Sequence, residues 1–76
     1  MIIDVDRGSI SVFNETNRTL KIFKGDLQIS TANMISYFGN TLKDCVVDVN
    51  GYGGCVYDIL ERLDLSPHIL RVERIK

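Results

Sequence analysis

Along the first third of the chain, apolar and polar residues alternate with a period of two. "IIDVD" at residues 2–6 is short and β-branched and is closed by Arg7-Gly8, while "SISVFNE" at 9–15 puts Ile10 and Val12 on one face and Phe13 on the other. After the polar stretch "ETNRT", "TLKIFKG" alternates again, with Leu20 and Ile22 on one face and Lys21 and Phe23 on the other, until Gly25-Asp26 breaks the run. A period of two marks strands whose two faces meet different surroundings, and short polar turns between such strands make them antiparallel neighbours. The pattern predicts a three-stranded antiparallel meander.

The period then changes. Ser30 or Thr31 is the predicted N-cap of a short helix that carries Ala32, Met34, Ile35 and Phe38 toward the core and ends at Gly39 in the left-handed conformation. "CVVDV" at 45–49 is apolar on both faces, the pattern of a central strand covered from both sides. From Gly54 to Leu65, Val56, Ile59, Leu60 and Leu63 recur at helical spacing while Asp58, Glu61 and Arg62 face water, and Ser66-Pro67 ends the run. The closing "ILRVERIK", 69–76, alternates with frequent charge, as an edge strand does. The predicted order is β-β-β-α-β-α-β, an α/β (α+β) fold in which parallel strands extend the meander.

A chain of 76 residues makes one small domain. Apolar residues at 45% and charged residues at 25% give a globular composition, away from the disordered classes. Nine basic residues are spread among ten acids for a net charge of −1, so no overall footprint for nucleic acid stands out. Locally, Lys21 with Lys24, and Arg71 with Arg74 and Lys76, still allow a basic face that binds nucleic acid without chemistry.

Cys45 and Cys55 lack the CxxC spacing or neighbouring histidines of a zinc or redox site and read as reduced, mostly buried thiols. The N-terminus has neither a basic n-region nor a long apolar run, so a cytoplasmic protein without a membrane segment is expected. The glycosylation-type triplets at Asn14 and Asn17 then mean only a polar turn.

Candidate chemistry gathers in "VVDVNGYGGCVYDIL", residues 46–60. Asp48 ends a strand beside a glycine turn, a position suited to holding a metal or activating water; the same carboxylate also suits capping of the following helix. Asn50, Gly51, Tyr52, Gly53 and Gly54 form a candidate binding loop, with free N–H groups at a helix start. It is not a Walker A loop, because no Gly-Lys-Ser/Thr follows, and Val56 stands where the dinucleotide fingerprint needs its third glycine or alanine. Tyr52 reads as exposed, Tyr37 as packed, and His68 as a solvent-facing loop residue.

With "IIDVDRGSISVF" and "VVDVNGYGGCVYDIL" as its two anchors, the chain resembles the first half of a ribonuclease H-like nuclease domain, of the kind found in Holliday junction resolvases and phage terminase large subunits. The resemblance implies that Asp6 or Asp4 on the first strand and Asp48 on the fourth share a metal site, with Asp6 and Asp48 catalytic and Mg²⁺ or Mn²⁺ as the cofactor. Two-metal phosphodiester cleavage needs hard oxygen ligands from neighbouring strands, which such a pair supplies. The family also needs a later acid; the likeness covers the whole chain but only about half of a complete nuclease, and Glu73 has no surroundings that recommend it. The expected function is therefore a small, non-catalytic binding module of phage or mobile-element type, acting through a protein partner or as a homo-oligomer. The alternatives are a Mg²⁺-dependent nuclease, or a nuclease half completed by another chain, and a nucleic-acid binder using Lys21, Lys24, Arg71 and Arg74.

Overall fold

A computed structural model describes residues 1–70; Arg71, Glu73, Arg74 and Lys76, and most of the predicted last strand, lie outside the described residues. The elements are β1 (Ile2–Asp6), β2 (Ser9–Asn14), β3 (Thr19–Lys24), α1 (Leu27–Phe38), a 3₁₀ turn (Gly39–Leu42), β4 (Val46–Asp48), α2 (Gly53–Arg62) and β5 (His68–Leu70). One five-stranded mixed sheet runs in the order β3-β2-β1-β4-β5. The first three strands form the antiparallel meander, and β4 and β5 add in parallel to β1. The α+β class and the element order are those the sequence predicts.

The sheet register decides which side is covered. Ile3 pairs with Val12 and Val47, and Ile10 with Val5 and Phe23, so all these side chains point to one face. There they join Met34 of α1 and Val56 and Leu60 of α2 in one buried core, with Leu42, Cys45 and Leu65 closing its ends. Burying each large aliphatic side chain contributes roughly 1.5–3 kcal/mol against the entropy of ordering the chain. α1 lies over β2 and β3 and α2 over β4 and β1. Both helices therefore occupy the same face.

The opposite face carries no layer among the described residues. Leu20, Phe13, Ile2 and Val46 follow one another across β3, β2, β1 and β4, and Leu20, Phe13 and Ile2 are exposed. β4 is thus an internal strand covered on one side, where its apolar composition predicts cover on both. β1, not β4, is the central strand.

Other departures have local causes. α1 begins at Leu27, three residues before Ser30, because the Asp26 carboxylate accepts a hydrogen bond of 2.8 Å from the Ile29 N–H. Ser30 and Thr31 are not caps but sit on the buried side of the helix, and Ser30 Oγ donates back to the Asp26 carbonyl at 2.8 Å. Ala32, predicted inward, is exposed, since the buried stripe runs through Ser30, Thr31 and Met34. Gly39 does end α1, at a φ of 54°.

α2 stops at Arg62, and Asp64, at a φ of 57°, turns the chain so that Leu65 enters the core in place of Leu63, which is exposed. Cys55 is exposed on the water side of α2, whereas Cys45 is buried as expected. Tyr37 is 64% exposed, its ring edge-on to Phe38 and Phe23 rather than packed beneath them. His68 faces solvent, but as the first residue of β5 and not in a loop.

Candidate functional site

Asp4 and Asp6 leave β1 on the open face, because Ile3 and Val5 between and beside them point into the core. The parallel register pairs Ile2 with Val46 and Ile3 with Val47, so its continuation sets Asp4 beside Asp48. Adjacent strands are roughly 4.8 Å apart, which brings these two carboxylates onto neighbouring positions at the same end of the sheet. Asp6 lies one pleat further along and pairs with Ser9 of β2.

These acids share a cleft of about 420 Å³ with Val5, Arg7, Asn50, Gly51 and Tyr52. Partial burial, then repulsion from Asp6 and Asp48, pushes the Asp4 carboxyl above its ordinary value. A raised carboxylate beside like charges is one mark of a site that gains from a bound cation. Among the described residues, no group of three or more His, Cys, Asp and Glu side chains is arranged to hold a metal ion. Asp4, Asp6 and Asp48 thus line one cleft without forming a ready-made three-carboxylate cage.

The glycine loop is shaped by what Asp48 and Gly53 do. Asp48 Oδ1 accepts hydrogen bonds from the Asn50 N–H at 3.0 Å and from the Asn50 side-chain amide at 2.7 Å, folding the chain back after β4. The carboxylate therefore braces the turn; α2 itself begins at Tyr52 and Gly53 without a side-chain cap. Gly51 takes a φ of 59°, which suits glycine, and Gly53 is buried against the Asp48 carbonyl. Asn50, Gly51 and Tyr52 line the cleft, while Gly53 and Gly54 begin α2 and do not line it.

Arg7, which the sequence pattern places only in the β1–β2 turn, also lines this cleft. It enters the cleft because the β1–β2 turn closes at the same sheet end as the three acids. Its position next to Asp6 in sequence was the available signal. Lys21 and Lys24 are not brought to the acidic cleft. They line a separate cleft at the far edge of the sheet with Asn33, Ser36 and Tyr37.

No helix among the described residues is long and apolar enough to cross a membrane. Comparison with protein-family models, with curated proteins and with solved structures finds no match to this chain.

Proposed function

We infer that the chain is a ribonuclease H-like binding module that works by docking its uncovered sheet face and sheet edges onto a protein, either a partner or a second copy. The observation that carries this reading is the open face itself, where Ile2, Phe13, Leu20 and Ile22 are all exposed on strands in register. Single exposed apolar residues are ordinary, but a contiguous row on a flat sheet is the kind of surface that another chain covers. The kinship reading draws support from the β1–β4 adjacency, which the sequence likeness requires.

The test is the native mass measured over a range of concentrations, together with capture of partners by the wild-type chain and by a Phe13→Lys, Leu20→Lys variant. The expected result is a particle heavier than the monomer, or a captured protein, that is lost in the variant while its circular dichroism is unchanged. A monomer whose interactions ignore both substitutions would overturn the reading.

A second reading is a divalent-metal nuclease, or part of one, in which Asp6 and Asp48, with Asp4, hold Mg²⁺ or Mn²⁺ and a further acid comes from another segment or chain. The raised Asp4 carboxyl in a cleft shared with Asp6 and Asp48 favours it. Amide shifts at these three residues on titration with millimolar Mg²⁺ or Mn²⁺ are its expected signature, and silence would remove it.

A further inference from the structure

β3 ends the strand order and pairs only with β2 in the described sheet. Five of its six residues are exposed, with Phe23 alone buried. An edge strand of this length presents on its free side a row of N–H and C=O groups ready for another strand. Beside it, between the edge and α1, lies a cleft of about 650 Å³ lined by Lys21, Lys24, Asn33, Ser36 and Tyr37 and floored by Phe23.

The charge of this cleft is one-sided. Its lining includes Lys21 and Lys24 and no acidic residue, and among the described residues neither lysine forms an ion pair. Lys21 Nζ is instead held 4.9 Å from the centre of the Tyr37 ring and 5.9 Å from that of Phe23. Tyr37 is in turn fixed edge-on by Phe38 at 4.8 Å and Phe23 at 5.8 Å. Lysines on an edge strand ordinarily serve to discourage pairing between copies. Here the same charge makes a second β3 a poor occupant, since it would bring Lys21 and Lys24 of both copies together, and leaves a carboxylate-bearing strand as the complementary one.

We propose that β3 receives an acidic, extended peptide segment as an added strand, with the Lys21–Tyr37 cleft accepting its side chains. Backbone hydrogen bonds to the β3 edge supply the affinity, and alternate side chains supply the selection. One face of the incoming strand meets Lys21 and Tyr37; the other meets Ile22 and Lys24 on the open side of the sheet. The inference rests on the reading of the chain as a protein-binding module and gives the chemistry of its partner.

The test uses fluorescently labelled peptides alternating Glu with Val, the same length alternating Lys with Val, and the Glu-Val peptide N-methylated along one edge. Anisotropy is expected to detect the acidic peptide alone, with affinity falling about tenfold in Lys21→Ala, Lys24→Ala. N-methylation is expected to abolish binding, and amides of residues 19–24 to gain protection from exchange in the complex. Three results would overturn the proposal: equal binding of the basic peptide, retained binding of the N-methylated one, or tighter lysine-dependent binding of an oligodeoxythymidylate. The last marks a polyanion groove. Phe13→Lys alone, on β2 and away from the β3 edge, tests the open face separately, so loss of either idea leaves the other readable.

Discussion

Gly53, the first residue of α2, lies so close beneath the carbonyl of Asp48 that a methyl group on its Cα would overlap that oxygen. The approach is made possible by a short return of the chain, in which Gly53 N–H donates to the Asn50 carbonyl at 3.2 Å and Asp48 Oδ1 holds Asn50. One glycine thus sets both the seat of α2 on the sheet and the wall of the acidic cleft.

Gly53→Ala is therefore expected to destabilise the fold by roughly 3 kcal/mol, since backbone and not a flexible side chain must move. Gly54→Ala, one position on in the helix with nothing within 4 Å, is expected to gain roughly 0.5–1 kcal/mol. Urea unfolding midpoints of the two variants check the contrast, and equal effects would mean that the close approach carries no energy.

The sheet was legible wherever the alternation was local. β1, β2 and β3 follow from a period of two, and the exposure of Leu20 and Ile22 opposite buried Phe23 follows from the same parity. The pairing of β1 with β4 lies in no local pattern, because more than forty residues separate Ile2 from Val46. It came from the resemblance. The start of α1 was hidden because Asp26 after Gly25 looks like the end of a strand, while Ser30 and Thr31 look like caps but are buried. Leu63 fits the α2 stripe in sequence, yet the left-handed turn at Asp64 hands its place to Leu65. In the site, the acids and the glycine loop were legible from residue type and strand ends; Arg7 was not, because its role depends on which turn closes over which sheet end.

Thr31 marks a spot where the fold falls short of satisfying its own polar groups. Its hydroxyl is buried on the inner side of α1 with no hydrogen-bond partner among the described residues. Leaving a buried hydroxyl unmet costs about 1–3 kcal/mol, and valine keeps the shape and a similar helix propensity. Thr31→Val is expected to stabilise by about 1 kcal/mol in urea unfolding. A loss of stability would show that the hydroxyl is met by water.

The two thiols should differ sharply in reactivity. Burial, with a smaller contribution from neighbouring Asp44, pushes the Cys45 thiol up, whereas Cys55 stands exposed on α2. The thiolate is the reacting form, so native protein is expected to consume one equivalent of a thiol reagent quickly and unfolded protein two. Cys55→Ser is expected to remove the fast reaction, leaving Cys45 to react only at the rate at which the core opens. Fast consumption of both in the native state would contradict the packing around Cys45.

Asp4 gives the stability of the fold an unusual pH signature. Partial burial first, then Asp6 and Asp48, raise its carboxyl above the ordinary value of 3.8. The folded state therefore holds this proton more tightly than the unfolded chain, and the ionised form opposes folding. That opposition is complete above the folded value, declines as pH falls through it, and is gone below about 3.8. Most paired carboxylates act in the opposite sense. Asp4→Asn is expected to be more stable than wild type at neutral pH and to lose that advantage as the pH falls through the raised Asp4 value, with none left below about 3.8. Asp48→Asn, by removing one repelling charge, is expected to bring the Asp4 titration down toward its ordinary value in a carboxyl NMR titration. An Asp4 titration that does not move in Asp48→Asn would mean that the two side chains do not share the cleft, and the metal-binding reading of that end of the sheet would fall with it.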